Sequence, residues 1–293
     1  MNYRTFPFSD KIYARFSPKP QGIDADNNAI RALLDSPDPC MISRFGSVEI
    51  QTLLYVRYWP FSFFLRNRVY RTIKDNAGFY PVNRVNLRRF YQIYKNSVSD
   101  LDLLVSWRVE ELMFCKWLRG VNQVKKTTMD CFYRQEEPWT QALVGKKILV
   151  VHPFAGTIEA QYKKREFLFE NPKVLPEFEK LEIVKAVQSL GGGEEFASWF
   201  DALEYMKCEI EKKDFDIALL GCGAYGMPLA AHIKKMGKKA IHMGGILQFL
   251  FGIKGKRYEE NASTSKYIND YFVSPSLSDR PAVADKVEGG CYW

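Results

Sequence analysis

The chain has 293 residues, 46% hydrophobic and 15% aromatic, enough apolar material to core one large α/β domain or two smaller ones and too much for a disordered chain. Lysine and arginine exceed aspartate and glutamate by eight, and the first hundred residues, with fifteen basic against eight acidic side chains, hold nearly all of the excess, which points to an anionic partner. Six cysteines (40, 115, 131, 208, 222 and 291) form no Cys-x-x-Cys pair and only three histidines occur, which disfavours a zinc site and suits reduced thiols better than a disulfide framework.

The first residues, Met-Asn-Tyr-Arg-Thr-Phe-Pro-Phe, carry no apolar signal core, and no apolar run nears the ~20 residues of a membrane span, so a cytoplasmic location is expected. A short helix is predicted over Asn27–Leu34. Cys40–Gly46 reads as a strand and Val48–Tyr58 as the helix after it. Where they meet, Ser43-Arg44-Phe45-Gly46-Ser47-Val48-Glu49 sets a carboxylate at a helix entry. Glu49 there suits metal binding or base catalysis. It equally suits plain capping, with Ser47 as N-cap and Glu49 in the first turn.

From Tyr55 to Lys95 arginines alternate with aromatic residues. That mixture fits a membrane interface, where charges meet lipid phosphates and rings sit at headgroup depth. It also fits stacking on single-stranded nucleic acid, or an ordinary core with a basic solvated face. No nucleic-acid module is recognisable, so no nucleic-acid partner is expected.

Asp102–Ser106 reads as a strand and Val109–Leu118 as a helix. Lys147–His152 is a strong strand, followed by a helix over Ile158–Phe169. His152, at that strand's carboxyl end, can bond a phosphate or act as a base, or simply pack. Arg165, one to two turns further on, is placed to reach back towards a diphosphate. Glu179–Val187 fits strand or helix, and Phe196–Lys212 is an amphipathic helix.

Residues 214–245 read as strand, glycine turn, helix, strand, the turn carrying Gly221-x-Gly223-x-x-Gly226. Glycine there permits a sharp turn and lets a phosphate approach the first amides of the next helix. A dinucleotide site wants an acidic residue closing the second strand, but this one ends in His242 and glycines, so NAD is not expected. Lys256 and Arg257 form a short basic cluster able to clamp a phosphate near His242. The tail from Asn261 is loop-rich.

Alternating strands and helices imply an α/β, Rossmann-like, mainly parallel sheet flanked by helices. Ligands of such sheets bind at the carboxyl ends of the strands, a rule that gathers His152, Gly221, Gly223, Tyr225 and His242 at one rim. A boundary near 142–143 would divide a basic, aromatic-rich N-terminal lobe (1–142) from a nucleotide-binding half (143–293), or the two form one continuous domain.

Arg44-Phe45-Gly46-Ser47-Val48-Glu49 resembles the Arg-aromatic-Gly-Asp-Gly-Glu segment of bacterial glycosyltransferases of the GT-D fold, and residues 216–245 are similar to that family's C-terminal Rossmann-like half. Val151-His-Pro-Phe154, Gly221-Cys-Gly-Ala-Tyr-Gly226 and the terminal Val287-Glu-Gly-Gly-Cys-Tyr-Trp293 also look like uncharacterised proteins encoded among polysaccharide-assembly genes. The resemblance implies a GT-D-like transferase that moves sugar from a nucleotide sugar, of UDP type, to a glycan or lipid-linked acceptor, and the basic, aromatic-rich first half adds the expectation of a cytoplasmic protein working at the inner face of the membrane. It implies a divalent metal, Mn²⁺ or Mg²⁺, held in the family by an Asp-x-Glu pair. Here Ser47 replaces the first acid, so only Glu49 carries over, either as metal ligand or as base. Arg44, Gly46, Ser47, Arg165, Gly221, Gly223, Tyr225, Gly226, His242, Lys256 and Arg257 are the binding candidates, and Glu49 and His152 the catalytic ones. Two other readings stay open: a different nucleotide-dependent enzyme on the same fold, oxidoreductase or methyltransferase, and a non-catalytic binding protein of polysaccharide assembly.

Overall fold

Short aliphatic runs buried on both sides are what a parallel sheet covered by helices on both faces requires, and the strands of this chain are such runs. The computed structural model describes residues 22–133, 136–189, 195–279, 290 and 292. Among these, β1 (Met41–Ser43), β2 (Leu103–Ser106), β3 (Asn122–Lys125), β4 (Lys147–His152), β5 (Lys180–Lys185), β6 (Ile217–Leu220) and β7 (Lys239–His242) form one seven-stranded sheet in the order β3-β2-β1-β7-β6-β4-β5. All neighbouring pairs are parallel. The expected Rossmann-like α/β fold is therefore present. Ile42 registers with Leu103 on one side and Ile241 on the other, so the sheet runs unbroken from the N-terminal strands into the C-terminal ones.

Among the described residues the helices are α1 (Ile23–Asp35), α2 (Ser47–Arg57), α3 (Arg66–Ala77), α4 (Arg84–Val98), α5 (Ala155–Tyr162), α6 (Trp199–Glu211), α7 (Gly226–Lys235) and α8 (Ile246–Leu250), with shorter helical turns between them. The period-2 alternation of the strands divides the core in two. Met41, Leu104, Leu149, Val151, Ala218 and Leu220 face α2, α3, α4, α6 and α7. Ile42, Leu103, Val105, Ile148, Val150, Leu219 and Ile241 face α1, α5 and α8. The chain leaves β1 and β6 towards the first face, and β4 and β7 towards the second. These divergent exits open a crevice at the carboxyl ends of the central strands, the usual ligand position in open α/β sheets.

Several elements differ from the sequence reading. The arginine-rich stretch, given no elements from sequence, forms α3 and α4. Their apolar stripes, Val69-Ile73-Ala77 and Leu87-Phe90-Tyr94-Val98, are buried. Tyr55, Phe79, Tyr80, Phe90 and Tyr94 of that stretch are thus core: Phe79 meets Phe90 at 5.0 Å, Trp199 at 5.5 Å and Phe200 at 5.7 Å. Val109–Phe114 is a 3₁₀ stretch rather than a helix reaching Leu118, and the helix expected over Ile158–Phe169 is split into α5 and a turn at Arg165–Leu168. Residues 180–185 resolve as strand. Edge strand β3, Asn-Gln-Val-Lys, has only Val124 buried and so offered no apolar signal.

Candidate active site

Every strand of the sheet delivers residues to one cavity of about 540 Å³. Arg44 follows β1, Trp107 follows β2, and Lys126 and Asp130 follow β3. His152 ends β4, Gln188 and Ser189 follow β5, Gly221 and Gly223 follow β6, and His242 ends β7. Asn76 and Gly78 at the end of α3, and Arg257, Tyr258 and Tyr292 from the C-terminal segment, complete the lining.

One wall is built of glycine and histidine. A Cβ on Gly221 would lie 2.6 Å from the His152 ring and 3.0 Å from the Gly244 carbonyl oxygen. A Cβ on Gly226 would lie 2.3 Å from the His242 ring. Two glycines of the motif are therefore glycine because imidazoles occupy the space a side chain would take. Gly223 differs: nothing lies within 4 Å, but its φ of +56° favours glycine. Both histidines are buried, and burial pulls each down to about 3. The Arg44 charge adds to that effect at His242, while Asp279 opposes it at His152. Both imidazoles are neutral at pH 7. The Phe154 N–H donates to His152 Nδ1 at 3.0 Å, which leaves the proton on Nε2. With Nδ1 already accepting a hydrogen bond, His152 has no free lone pair with which to act as the base its position suggested. His242 Nδ1 bonds the Ser43 hydroxyl at 3.1 Å.

The neighbouring wall carries charge. The Arg44 guanidinium lies 4.5 Å over the Trp107 ring and donates to the Met243 carbonyl at 3.5 Å. Trp107 is fixed in turn: its indole N–H donates to the Phe45 carbonyl at 2.8 Å, and its backbone N–H donates to Glu111 at 3.2 Å. Glu111 also accepts from the Ser106 hydroxyl and the Arg108 N–H, yet its burial outweighs these bonds and pushes its carboxyl up to about 7. Burial draws Arg44 down from its ordinary value, Asp130, Tyr292 and Glu49 pull it back, and Arg257 lowers it further. Two guanidiniums therefore repel each other in a cavity that two carboxylates also line. Asp130 is buried; Lys126 meets its Oδ2 at 3.1 Å, while Oδ1 has no hydrogen-bond partner among the described residues. Glu49 is buried and folded back on the start of α2, its Oε2 1.8 Å from where a Gly46 Cβ would stand.

The C-terminal segment closes the rim. The Arg257 guanidinium stacks 4.5 Å over Tyr292, whose carbonyl accepts from Gln248 at 3.3 Å. Asp279 accepts from the Thr157 N–H at 3.0 Å and its hydroxyl at 2.7 Å, tying the tail to the first turn of α5.

Of the residues singled out from sequence, Arg44, Gly46, Ser47, Glu49, His152, Gly221, Gly223, Tyr225, His242 and Arg257 line this one cavity. Gly226 stands behind His242. Arg165 is not brought to it; it bonds Glu166 at 3.3 Å and Glu177 at 3.4 Å on the outer surface, because the helix carrying it breaks before the residue. Lys256 is exposed and does not line the cavity. Ser47 is the first helical residue rather than the N-cap, which is Gly46. The Tyr225 hydroxyl is engaged with Ser189 at 2.6 Å and its ring stacks on Trp199 at 4.9 Å.

Sequence reasoning missed Trp107, Lys126 and Asp130. The first directly follows a strand that was predicted, and the rim rule alone would have placed it. The other two follow β3, which was not. Among the described residues, no group of three or more His, Cys, Asp or Glu is arranged to hold a metal ion. Glu49 and Asp130 alone fall short of the oxygen set that Mg²⁺ or Mn²⁺ takes, so the donor set does not fit a metal held by the protein itself.

No protein-family model matches this chain, and no curated protein does. Among solved structures, a selenomethionine-substituted domain of unknown function 1792 is similar at 13% identity, covering 81% of this chain and 82% of its own, with a TM-score of 0.46.

Proposed function

We propose that the chain is a glycosyltransferase that moves a sugar from a UDP-type nucleotide sugar to a hydroxyl of a glycan or lipid-linked acceptor in surface-polysaccharide assembly. The observation that carries this reading is the meeting of Arg44 and Arg257 with Asp130 and Glu49 in one cavity at the carboxyl rim of the sheet. A nucleoside diphosphate suits the arginines, since forked guanidiniums match phosphate oxygens in pairs. Cys222 and Gly223, after Gly221, line the same space. The similarity of Arg44–Glu49 to the GT-D segment supports the same assignment.

The bond between the anomeric carbon and the diphosphate oxygen breaks, and a bond from that carbon to the acceptor oxygen forms. The electron pair of the broken bond leaves with the nucleoside diphosphate, where Arg44, Arg257 and the His152 Nε2–H stabilise the growing charge. The acceptor proton goes to a carboxylate. Asp130 and Glu49 both line the cavity, and Asp130 is taken as the acceptor because its Oδ1 has no hydrogen-bond partner among the described residues.

A thermal-shift panel with UDP, GDP, UDP-sugars, NAD, NADP and S-adenosylmethionine tests the class. A uridine diphosphate or its sugar should stabilise the fold, by about 2.7 kcal/mol at a hundredfold excess over Kd. Stabilisation by NAD or S-adenosylmethionine alone would replace the reading with a redox or methyl-transfer enzyme. No stabilisation by any nucleotide would sink it.

A further inference from the structure

α2 and α3 pack as a helical hairpin whose base and tip have opposite characters. The base is at the cavity, where Ser47 and Glu49 begin α2 and Asn76 and Ala77 end α3. The tip, residues 58–65, exposes Phe61 at 83%, Phe63 at 63% and Phe64 at 72%. Burying these rings in the protein was open to the fold, as Tyr55, Phe79 and Phe90 in the same stretch show. Three adjacent aromatic rings left in water form an apolar patch that calls for a partner.

The surroundings state its chemistry. Arg66, Arg68 and Arg71 on α3, and Arg84 and Arg88 on α4, are exposed. The Arg84 guanidinium lies 4.8 Å over the Trp59 ring, which fixes the start of α4 beside the tip. None of these five arginines forms a salt bridge with a described residue, whereas lysines elsewhere on the surface pair repeatedly with Asp or Glu. Exposed rings flanked by arginines that form no salt bridge with a described residue match a surface that is apolar inside and anionic outside. Among the described residues no helix is long and apolar enough to cross a membrane, so contact would be at the interface.

We propose that the hairpin tip is a membrane-docking wedge: Phe61, Phe63 and Phe64 enter the headgroup region of an anionic phospholipid bilayer, and Arg66, Arg68, Arg71, Arg84 and Arg88 hold its phosphates. α2, eleven residues and about 16 Å long, separates the tip from the cavity. The proposal stands on the tip alone and does not require the transfer reaction.

Co-sedimentation of the full chain with vesicles tests it. Vesicles of equal parts phosphatidylcholine and phosphatidylglycerol should carry the protein down, and phosphatidylcholine alone should carry about tenfold less. The triple variant Phe61→Ser, Phe63→Ser, Phe64→Ser, and separately Arg66→Gln, Arg68→Gln, Arg71→Gln, should each weaken binding to the mixed vesicles about tenfold or more. The second set keeps the test should the first fail to fold. Equal binding to both vesicle types, or binding unaltered in both variants, would overturn the proposal. So would a wild-type dimer, seen by light scattering without lipid, that the phenylalanine variant dissociates, since the patch would then be covered by a second copy.

Discussion

The two walls of the cavity are made differently. The wall from β4, β6 and β7 is close-packed, with His152 and His242 buried, neutral and wedged against Gly221 and Gly226. The wall from β1, β2 and β3 is sparsely satisfied: Arg44 balanced between carboxylates and a second arginine, Asp130 with an oxygen unpartnered. The first has the sequence motif that draws notice, and the second has the groups that can move protons and stabilise charge. A glycine pattern can thus mark how a site is packed, while the chemistry comes from residues that fall in no pattern.

That contrast predicts opposite consequences for substitutions on the two walls. On the charged wall, Asp130→Asn should lower the transfer rate by about 10²–10⁴, the usual worth of a positioned proton acceptor. Its melting temperature should stay near wild type, since Lys126 is a partly exposed partner of modest value. Glu49→Gln should cost less than Asp130→Asn. A variant series with the reverse order, measured as released nucleoside diphosphate, would return the proton acceptor to Glu49.

On the packed wall, Gly226→Ala should act through stability. The added methyl would meet the His242 ring at 2.3 Å, and overpacking of this kind costs roughly 1–3 kcal/mol. Gly221→Ala meets the His152 ring and a backbone carbonyl and should behave alike. Urea unfolding midpoints check both; unchanged midpoints with lost nucleotide binding would mean that the glycines serve the ligand instead. A smaller effect is expected from Arg44→Lys, which keeps the charge but loses the fork and the stacking on Trp107, weakening nucleotide binding about tenfold by calorimetry.

What was legible in the sequence follows the same division. Lys147–His152 and Asp216–His242 were readable because aliphatic runs bounded by glycine and proline admit few alternatives. The rim rule then brought His152, Gly221 and His242 together, although they are distant in the chain. Asp130 was invisible because β3 is an edge strand whose Asn122, Gln123 and Lys125 face outward, leaving no alternation to detect. Arg165 was misplaced because a helix break between Tyr162 and Arg165 turns it outward. The tip at 58–65 could not be separated from the rest of its stretch, since Phe61 and Phe79 are the same residue type. Only the packing of α3 and α4 decides which is core.

The walls also differ in their response to acid. His152 and His242 ordinarily titrate near 6.5 and are held down to about 3 in the fold. As pH falls through 6.5 the unfolded chain gains protons that the native one refuses, so their contribution is full above 6.5 and is lost towards 3. The loss is at most about 1.4 kcal/mol per pH unit for each ring. Glu111, behind Trp107 on the charged wall, is raised from 4.5 to about 7. Its native carboxyl holds a proton the unfolded chain has released, so its contribution is full below 4.5 and is lost as pH rises to 7. Between 4.5 and 6.5 two imidazoles therefore oppose one carboxyl, and stability falls on acidification by about one group's slope. Glu111→Gln preserves the bonds from Trp107 and Arg108 at its carbonyl oxygen while removing the opposing titration. Its stability should fall more steeply than wild type between pH 6.5 and 4.5 and in parallel with it below. Unfolding midpoints at several pH values decide the matter: curves parallel throughout would show that Glu111 is ionised in the native state and that the support beneath Arg44 does not titrate.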